Sequence, residues 1–161
     1  NPDSFGCEAV KCLGILDPMD LTGFAPGKIS ALTTLWNLWG ALNHLGGCYF
    51  VFAPRSYFPL HKIPELVEAG TGWKTSLHEL VRLGARGHGA ARILNRRLGL
   101  TEADDTLPER LFQALPEGPF AGQPISREAF HEAKGLLYAL QGWDDTGLPT
   151  EATRRDLGLP L

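Results

Sequence analysis

An all-α, irregular multi-helix domain is what this sequence predicts, and three stretches carry the prediction. Between Lys28 and Leu45, the residues Ile29, Leu32, Leu35, Trp36, Trp39, Leu42 and Leu45 recur at three- and four-residue steps, the period of one helix face. Ser76 and Glu79 stand in capping-box register ahead of a second apolar repeat that runs to about Leu98. Ser126 is placed to cap a third helix, to about Leu140. No internal repeat, low-complexity tract or heptad pattern interrupts this reading.

The chain has 161 residues, enough for one domain with a real core. Its formal charge of -3 argues against nucleic acid as the main partner, because phosphate binding needs a basic surface. No apolar run approaches a membrane span and no signal-peptide layout opens the sequence. An odd count of three cysteines points to a reducing, cytoplasmic setting rather than a disulfide framework. The first residue is Asn1 rather than Met, so a piece of a longer protein is expected.

Taken in order, residues 1–27 hold Pro2, Gly6, Gly14, Pro18, Gly23, Pro26 and Gly27 and no sustained period. They read as an irregular, surface-hugging segment with one short strand or helix around Ala9–Leu16. Cys7 and Cys12 have four residues between them, wider than the usual two-residue gap of zinc and iron–sulfur pairs, so an inert packed thiol is expected at Cys7. The helix from Lys28 should set the core through Trp36 and Trp39. It stops at Asn43-His44-Leu45-Gly46-Gly47-Cys48. Two readings stand there: a helix C-cap followed by a half-buried cysteine, or a thiol held on a close-approach turn as a metal or cluster ligand.

Beyond it, Tyr49 to Ala53 form an apolar patch closed by Pro54, extended or helical. A short helix over Ile63–Ala69, with Pro64 in its first turn, closes at Gly70, and Thr71-Gly72-Trp73 turns tightly. The long helix from Ser76 places Leu77, Leu80, Val81, Gly84, His88, Ala91, Leu94 and Leu98 inward. Arg82, Arg86, Arg92, Arg96 and Arg97 then form a solvated face with scattered ion pairs, against the alternative of an anion site. Gly84, Gly87 and Gly89 permit a close backbone approach or a kink, and His88 reads as a hydrogen-bonded core histidine.

Asp104 and Asp105 invite a metal or acid–base role, but adjacent carboxylates face apart. Asp105 or Thr106 is therefore expected to cap a helix starting at Pro108. After a loop from Pro116 to Pro124, the Ser126 helix turns Phe130, Leu136, Leu137 and Tyr138 inward. Gly142 to Gly147 form a turn, Thr150 caps a last helix with Arg154 and Arg155 near its negative end, and Gly158 ends it. There is no Walker loop, nucleophile elbow or His-Glu zinc pair.

Several segments together resemble the C-terminal region of the tungsten-containing aldehyde ferredoxin oxidoreductase family. These are Gly84-Ala85-Arg86, then Arg92, Asn95, Arg97 and Gly99, then Asp104-Asp105-Thr106-Leu107-Pro108-Glu109-Arg110. Gly142-Trp143-Asp144, Gly147-Leu148-Pro149-Thr150 and Leu157-Gly158-Leu159 follow, while Thr71-Gly72-Trp73 fits upstream. Asn43 to Cys48 fall where the family carries Asp-x-x-Gly-Leu-Cys. The resemblance spans residues from about Lys28 to the end, so 28–161 reads as the family's helical C-terminal domain and 1–27 as a junction with further domains.

The resemblance implies an enzyme that oxidises aldehydes to carboxylic acids at tungsten held by pterin dithiolenes, with a 4Fe-4S cluster passing electrons to ferredoxin. It makes Cys48 the fourth iron ligand and sets Asn43, Leu45, Gly46 and Gly47 against a pterin. Three departures accompany it: Asn43 stands for the family aspartate, Gly47 for its leucine, and Glu8 for a histidine near the metal if Gly6-Cys7-Glu8 matches Gly-Ala-Cys-His. The other three cluster cysteines are not in this chain, and one thiolate cannot hold a four-iron cluster. The isolated chain is thus expected to carry no cluster, no tungsten and no activity. Its implied partners are the enzyme's N-terminal domains, in the same or a separate chain, and ferredoxin; a homo-oligomer stays open. The competing reading is a helical interaction or folding module that has lost redox chemistry.

Overall fold

The computed structural model describes residues 7–17, 19–20, 22–52 and 58–160, except the side chains of Cys7, Glu8 and Tyr49. Six α-helices lie among the described residues: α1 (Pro26–His44), α2 (Tyr49–Phe52), α3 (Ile63–Thr71), α4 (Leu77–Arg97), α5 (Arg127–Leu140) and α6 (Glu151–Leu157). Short 3-10 turns cover Cys7–Leu13, Leu60–Lys62 and Glu109–Phe112. The only β-type pairings among these residues are two isolated bridges, Leu115 with Ala121 and Trp143 with Pro149. The fold is all-α.

Local chemistry sets most boundaries. Pro26 sits in the first turn of α1, where a missing N–H leaves nothing unpaired. Ser76, Ser126 and Thr150 cap α4, α5 and α6, each side-chain oxygen accepting from the N–H three residues on. At their C-termini α1, α4, α5 and α6 end alike. The N–H of the glycine past the cap and that of the next residue fold back onto carbonyls of the last turn, as in Gly142 N to Ala139 O and Trp143 N to Tyr138 O.

α1 and α4 form the centre and cross at glycines. A Cβ on Gly84 would stand 1.6 Å from the Asn37 carbonyl oxygen, so the two backbones touch there. Gly40 leaves room for the His88 ring, whose Nε2 would lie 2.6 Å from an added Cβ. Leu38, Ala41 and Leu42 of α1 are sealed in one cluster with Leu60, Ile63, Leu80, Val10 and Phe52. Ile93, Leu157 and Leu159 make a second, smaller one under the C-terminal tail. Asn37 and Gln141, both buried, exchange amide hydrogen bonds of 3.2 and 2.9 Å and tie α1 to the end of α5.

Four expectations change. Leu94 and Leu98 are exposed, at 55% and 72%, because the Gly84 crossing fixes the rotation of α4 and buries Leu80, Gly84, Gly89 and Ile93 instead. The helix expected from Pro108 shrinks to the 3-10 turn Glu109–Phe112, and neither Asp105 nor Thr106 caps it; Pro108 holds the cap position with no side-chain bond. The arginines of α4 keep exposed ion pairs at Arg82 and Arg96, as expected, but Arg86 and Arg92 also staple the helix to the tail. Arg82 grips both carboxylate oxygens of Asp156 at 2.8 and 3.0 Å, Arg86 Nε donates to Leu157 O at 2.6 Å, and Arg92 Nε donates to Gly147 O at 2.8 Å. The short helix closing at Gly70 instead continues to Thr71 and ends on Gly72, in the left-handed conformation.

Candidate functional site

The turn after α1 is built by the chain's commonest helix stop. Gly46, at φ 71°, takes the left-handed position that a side chain would strain. Gly46 N–H donates to Asn43 O at 3.1 Å and Gly47 N–H to Leu42 O at 2.8 Å, while Leu45 N–H bonds Ala41 O at 3.0 Å. All three N–H groups are spent inside the turn. Toward an incoming group the turn therefore offers carbonyl oxygens, the exposed Asn43 amide and a thiol.

Gly47 has a different reason to be glycine. A Cβ there would stand 3.1 Å from Phe52 Cε2 and 3.2 Å from Leu42 O. Phe52 is buried and meets Phe58 edge-on at 5.4 Å, so α2 packs back under the turn. Nothing lies within 4 Å of a Cβ on Gly46, which leaves that side open for close approach. Cys48 follows as a free, exposed cysteine. Apolar side chains surround it in sequence: Leu45 is 41% exposed, Phe50 88% and Val51 44%. Of the apolar patch expected from Tyr49 to Phe58, Phe50 and Val51 are exposed, Phe52 is buried, and residues 53–57 and the Tyr49 side chain lie outside the described residues.

The donor set fits a contributed ligand, not a complete metal site. Among the described residues no group of three or more His, Cys, Asp or Glu side chains could hold a metal ion. A thiol on a rigid, outward turn suits one corner of a cluster. The surrounding carbonyls suit a heteroaromatic ring rich in N–H donors better than an anion, since a helix C-terminus carries partial negative charge. Glu8 lies in the 3-10 turn Cys7–Leu13, which Val10 anchors to the core, but its side chain lies outside the described residues.

A second constellation stands apart from this turn. An open cavity of about 540 Å³ lies between α1, α4 and α5, and none of Asn43 to Cys48 lines it. At its floor Arg92 Nη1 donates to Asp105 Oδ1 at 2.8 Å and Nη2 to Tyr138 Oη at 3.1 Å, while the Tyr138 hydroxyl donates to the other Asp105 oxygen. The guanidinium also lies 5.5 Å from the Tyr138 ring centroid and 5.7 Å from that of Trp143. Burial alone raises Asp105, but the bonds from Arg92 and Tyr138 outweigh it and hold the carboxyl below its ordinary range. Burial and the bond to Asp105 push the Tyr138 phenol far above its usual value. His88 stacks on Trp36 at 4.1 Å and donates from Nε2 to Trp36 O at 3.0 Å. Burial lowers its pKa, the carbonyl bond partly counters this, and the charge of His44 adds to the lowering.

Sequence reasoning missed this ion pair because it spans a helix and a loop thirteen positions apart. No local signal points to it, because an aspartate ahead of Pro108 reads as a helix cap.

The family described as "Aldehyde ferredoxin oxidoreductase, domains 2 & 3" matches residues 3–159. The tungsten-containing aldehyde ferredoxin oxidoreductase of Pyrococcus furiosus is 30% identical over 148 residues, covering 89% of this chain and 23% of that protein. The Pyrococcus abyssi protein of the same description is 33% identical over the same shares. This chain thus spans about a quarter of the length of the curated relatives it matches. A solved structure described as the active site complex BamBC of benzoyl coenzyme A reductase, in complex with 1,5 dienoyl-CoA, superposes at a TM-score of 0.70 with 23% identity, over 89% of this chain and 21% of that one. At that identity the likeness speaks for the fold alone. With the profile match running from one end to the other and two relatives at or above 30% identity, this chain belongs to the aldehyde ferredoxin oxidoreductase family, in the part that forms its domains 2 and 3.

Proposed function

We propose that this chain forms one wall of the active centre of a tungsten–pterin oxidoreductase that converts aldehydes to carboxylic acids with ferredoxin as electron acceptor. The observation that carries this reading is the exposed Cys48 thiol, set beyond a helix stop whose N–H groups are all used internally. When bound, the metal–pterin centre supplies the oxidation and a neighbouring 4Fe-4S cluster carries the electrons away. This chain's own part is to hold and shape. Cys48 is the cluster's fourth ligand, and the fixed turn keeps its sulfur in one place without reorganisation.

The Asn43 amide and the carbonyls of Leu45 to Gly47 accept hydrogen bonds from pterin nitrogens, with less charge assistance than an aspartate at position 43 would give. Glu8, where the family places a histidine, is the candidate proton-handling group. Leu45, Phe50 and Val51 are apolar surface for the enzyme's remaining domains, in the same chain or another.

The test is to produce the chain together with the rest of the enzyme and measure iron, tungsten and the electron paramagnetic spectrum of the reduced cluster. Cys48→Ser is expected to lower iron content and alter that spectrum, with Cys12→Ser matching the parent. A metal-free assembly, or a Cys48→Ser assembly identical to the parent, overturns the proposal. Either outcome supports a non-catalytic helical interaction or folding module, the reading that Asn43, Gly47 and Glu8 favour.

A further inference from the structure

The cavity between α1, α4 and α5 takes no part in the function proposed for Cys48, yet its construction is regular. Ile29, Leu32 and Trp36 face it from α1 at helical spacing, as do His88, Ala91, Arg92 and Asn95 from α4. On α5 the facing row is Phe130, Ala133, Lys134 and Leu137. Two alanines, Ala91 and Ala133, stand where larger side chains would close the space. Its volume of about 540 Å³ is that of an ordinary small-molecule site.

The walls are aromatic and preformed. Trp36 is pinned by the His88 stack and by Trp143, edge-on at 6.1 Å, while Phe24 and Phe130 meet at 6.3 Å on the other side. Charge is balanced: the cations Arg92 and Lys134 face the carboxylates of Asp104 and Asp105. Arg92 and Asp105 neutralise each other, Asp104 accepts from Thr101 N–H at 2.7 Å, and Lys134 donates to Glu102 O at 2.8 Å. No net field therefore selects an ion. The Asn95 side chain, half-buried on the cavity wall, makes no hydrogen bond to the described residues. A carboxamide presents a donor and an acceptor side by side and pairs with a ring edge that presents the complement.

We infer that this cavity binds a flat, uncharged heteroaromatic molecule of purine size, with Asn95 reading an adjacent donor and acceptor on its edge. Stacking on the aromatic walls supplies affinity, and the amide supplies orientation, as an asparagine does against the edge of adenine in nucleic acid recognition.

The test is calorimetric titration of the protein with adenine and, separately, with indole, a flat ring lacking the paired edge. Both are expected to bind, adenine more tightly. Asn95→Leu is expected to weaken adenine about tenfold and leave indole unchanged. Ala133→Leu fills the space and should abolish both; if that variant loses helicity, Ala91→Leu, at an exposed position, replaces it. Absence of adenine binding at millimolar concentration overturns the inference. So does an Asn95→Leu protein that binds adenine like the parent, or binding that survives the cavity-filling change. None of these readouts depends on Cys48, metal content or turnover, so this inference and the redox proposal fail separately.

Discussion

Two glycines show how much a single missing methyl decides. Gly84 is pressed against the Asn37 carbonyl, so Gly84→Ala must push α1 off α4. We expect it to cost about 3 kcal/mol in a denaturant titration, the upper part of the range for overpacking. Gly135, inside α5 with nothing within 4 Å of an added Cβ, is the control. Gly135→Ala should stabilise by about 0.5–1 kcal/mol through helix propensity alone. Both glycines look alike in sequence. The Gly84, Gly87, Gly89 cluster suggested close approach or a kink, and only the position of Asn37 identifies which glycine makes the contact. His88 was legible as a core histidine from its spacing, whereas Asp105 was misread because capping is a local role and its real partner, Arg92, arrives from another element.

At the level of elements, the starts of helices were the most legible feature. Ser76, Ser126 and Thr150 cap as their spacing announces, since a cap needs only the next three residues. Which side of α4 is covered was not legible beyond His88. Its tail contacts come from residues more than fifty positions away, so Leu94 and Leu98 were assigned to the wrong face. The arginines joining α4 to the tail differ in value. Arg82 and Asp156 are both well exposed, and Arg82→Ala should change stability by about 1 kcal/mol or less. Arg92 serves a carbonyl, a carboxylate and a phenol from one planar fork, which a lysine cannot reproduce. Arg92→Lys should cost about 2–3 kcal/mol in the same titration, the scale of lost hydrogen bonds to a charged group.

For the molecule as a whole, His88 governs the milder acid response, and the carboxylates held low, Asp105, Asp144 and Asp156, share the more acidic one. His88 is held below its ordinary value near ~6.5, so its contribution is complete above that pH and is lost as pH falls through the lowered folded value. Asp105 is also held low, so its contribution is complete above ~3.9 and disappears at greater acidity. Thermal melts between pH 7 and 3 should show two successive losses of stability. His88→Gln should remove the first, and Asp105→Asn should reduce the second, the remainder coming from Asp144 and Asp156. The thiols offer an independent check on the reading of the Cys48 turn. Burial raises the Cys12 pKa, while Cys48 stands on an open turn. Native-state alkylation followed by mass spectrometry should label Cys48 ahead of Cys12. The all-α class followed from helical periods that any tertiary arrangement preserves. The cavity did not, because it exists only where the faces of three separate helices meet.

The contact between position 47 and the Phe52 ring has a consequence for how such a turn can change over time. A leucine at 47, as the family pattern has it, and a phenylalanine at 52 compete for the same few cubic ångströms beside the Leu42 carbonyl. Neither site can drift alone. Gly47→Leu by itself should loosen the chain, Phe52→Ala by itself should hollow it, and the double variant should recover part of both losses, a positive coupling between two mutations that are each harmful when single.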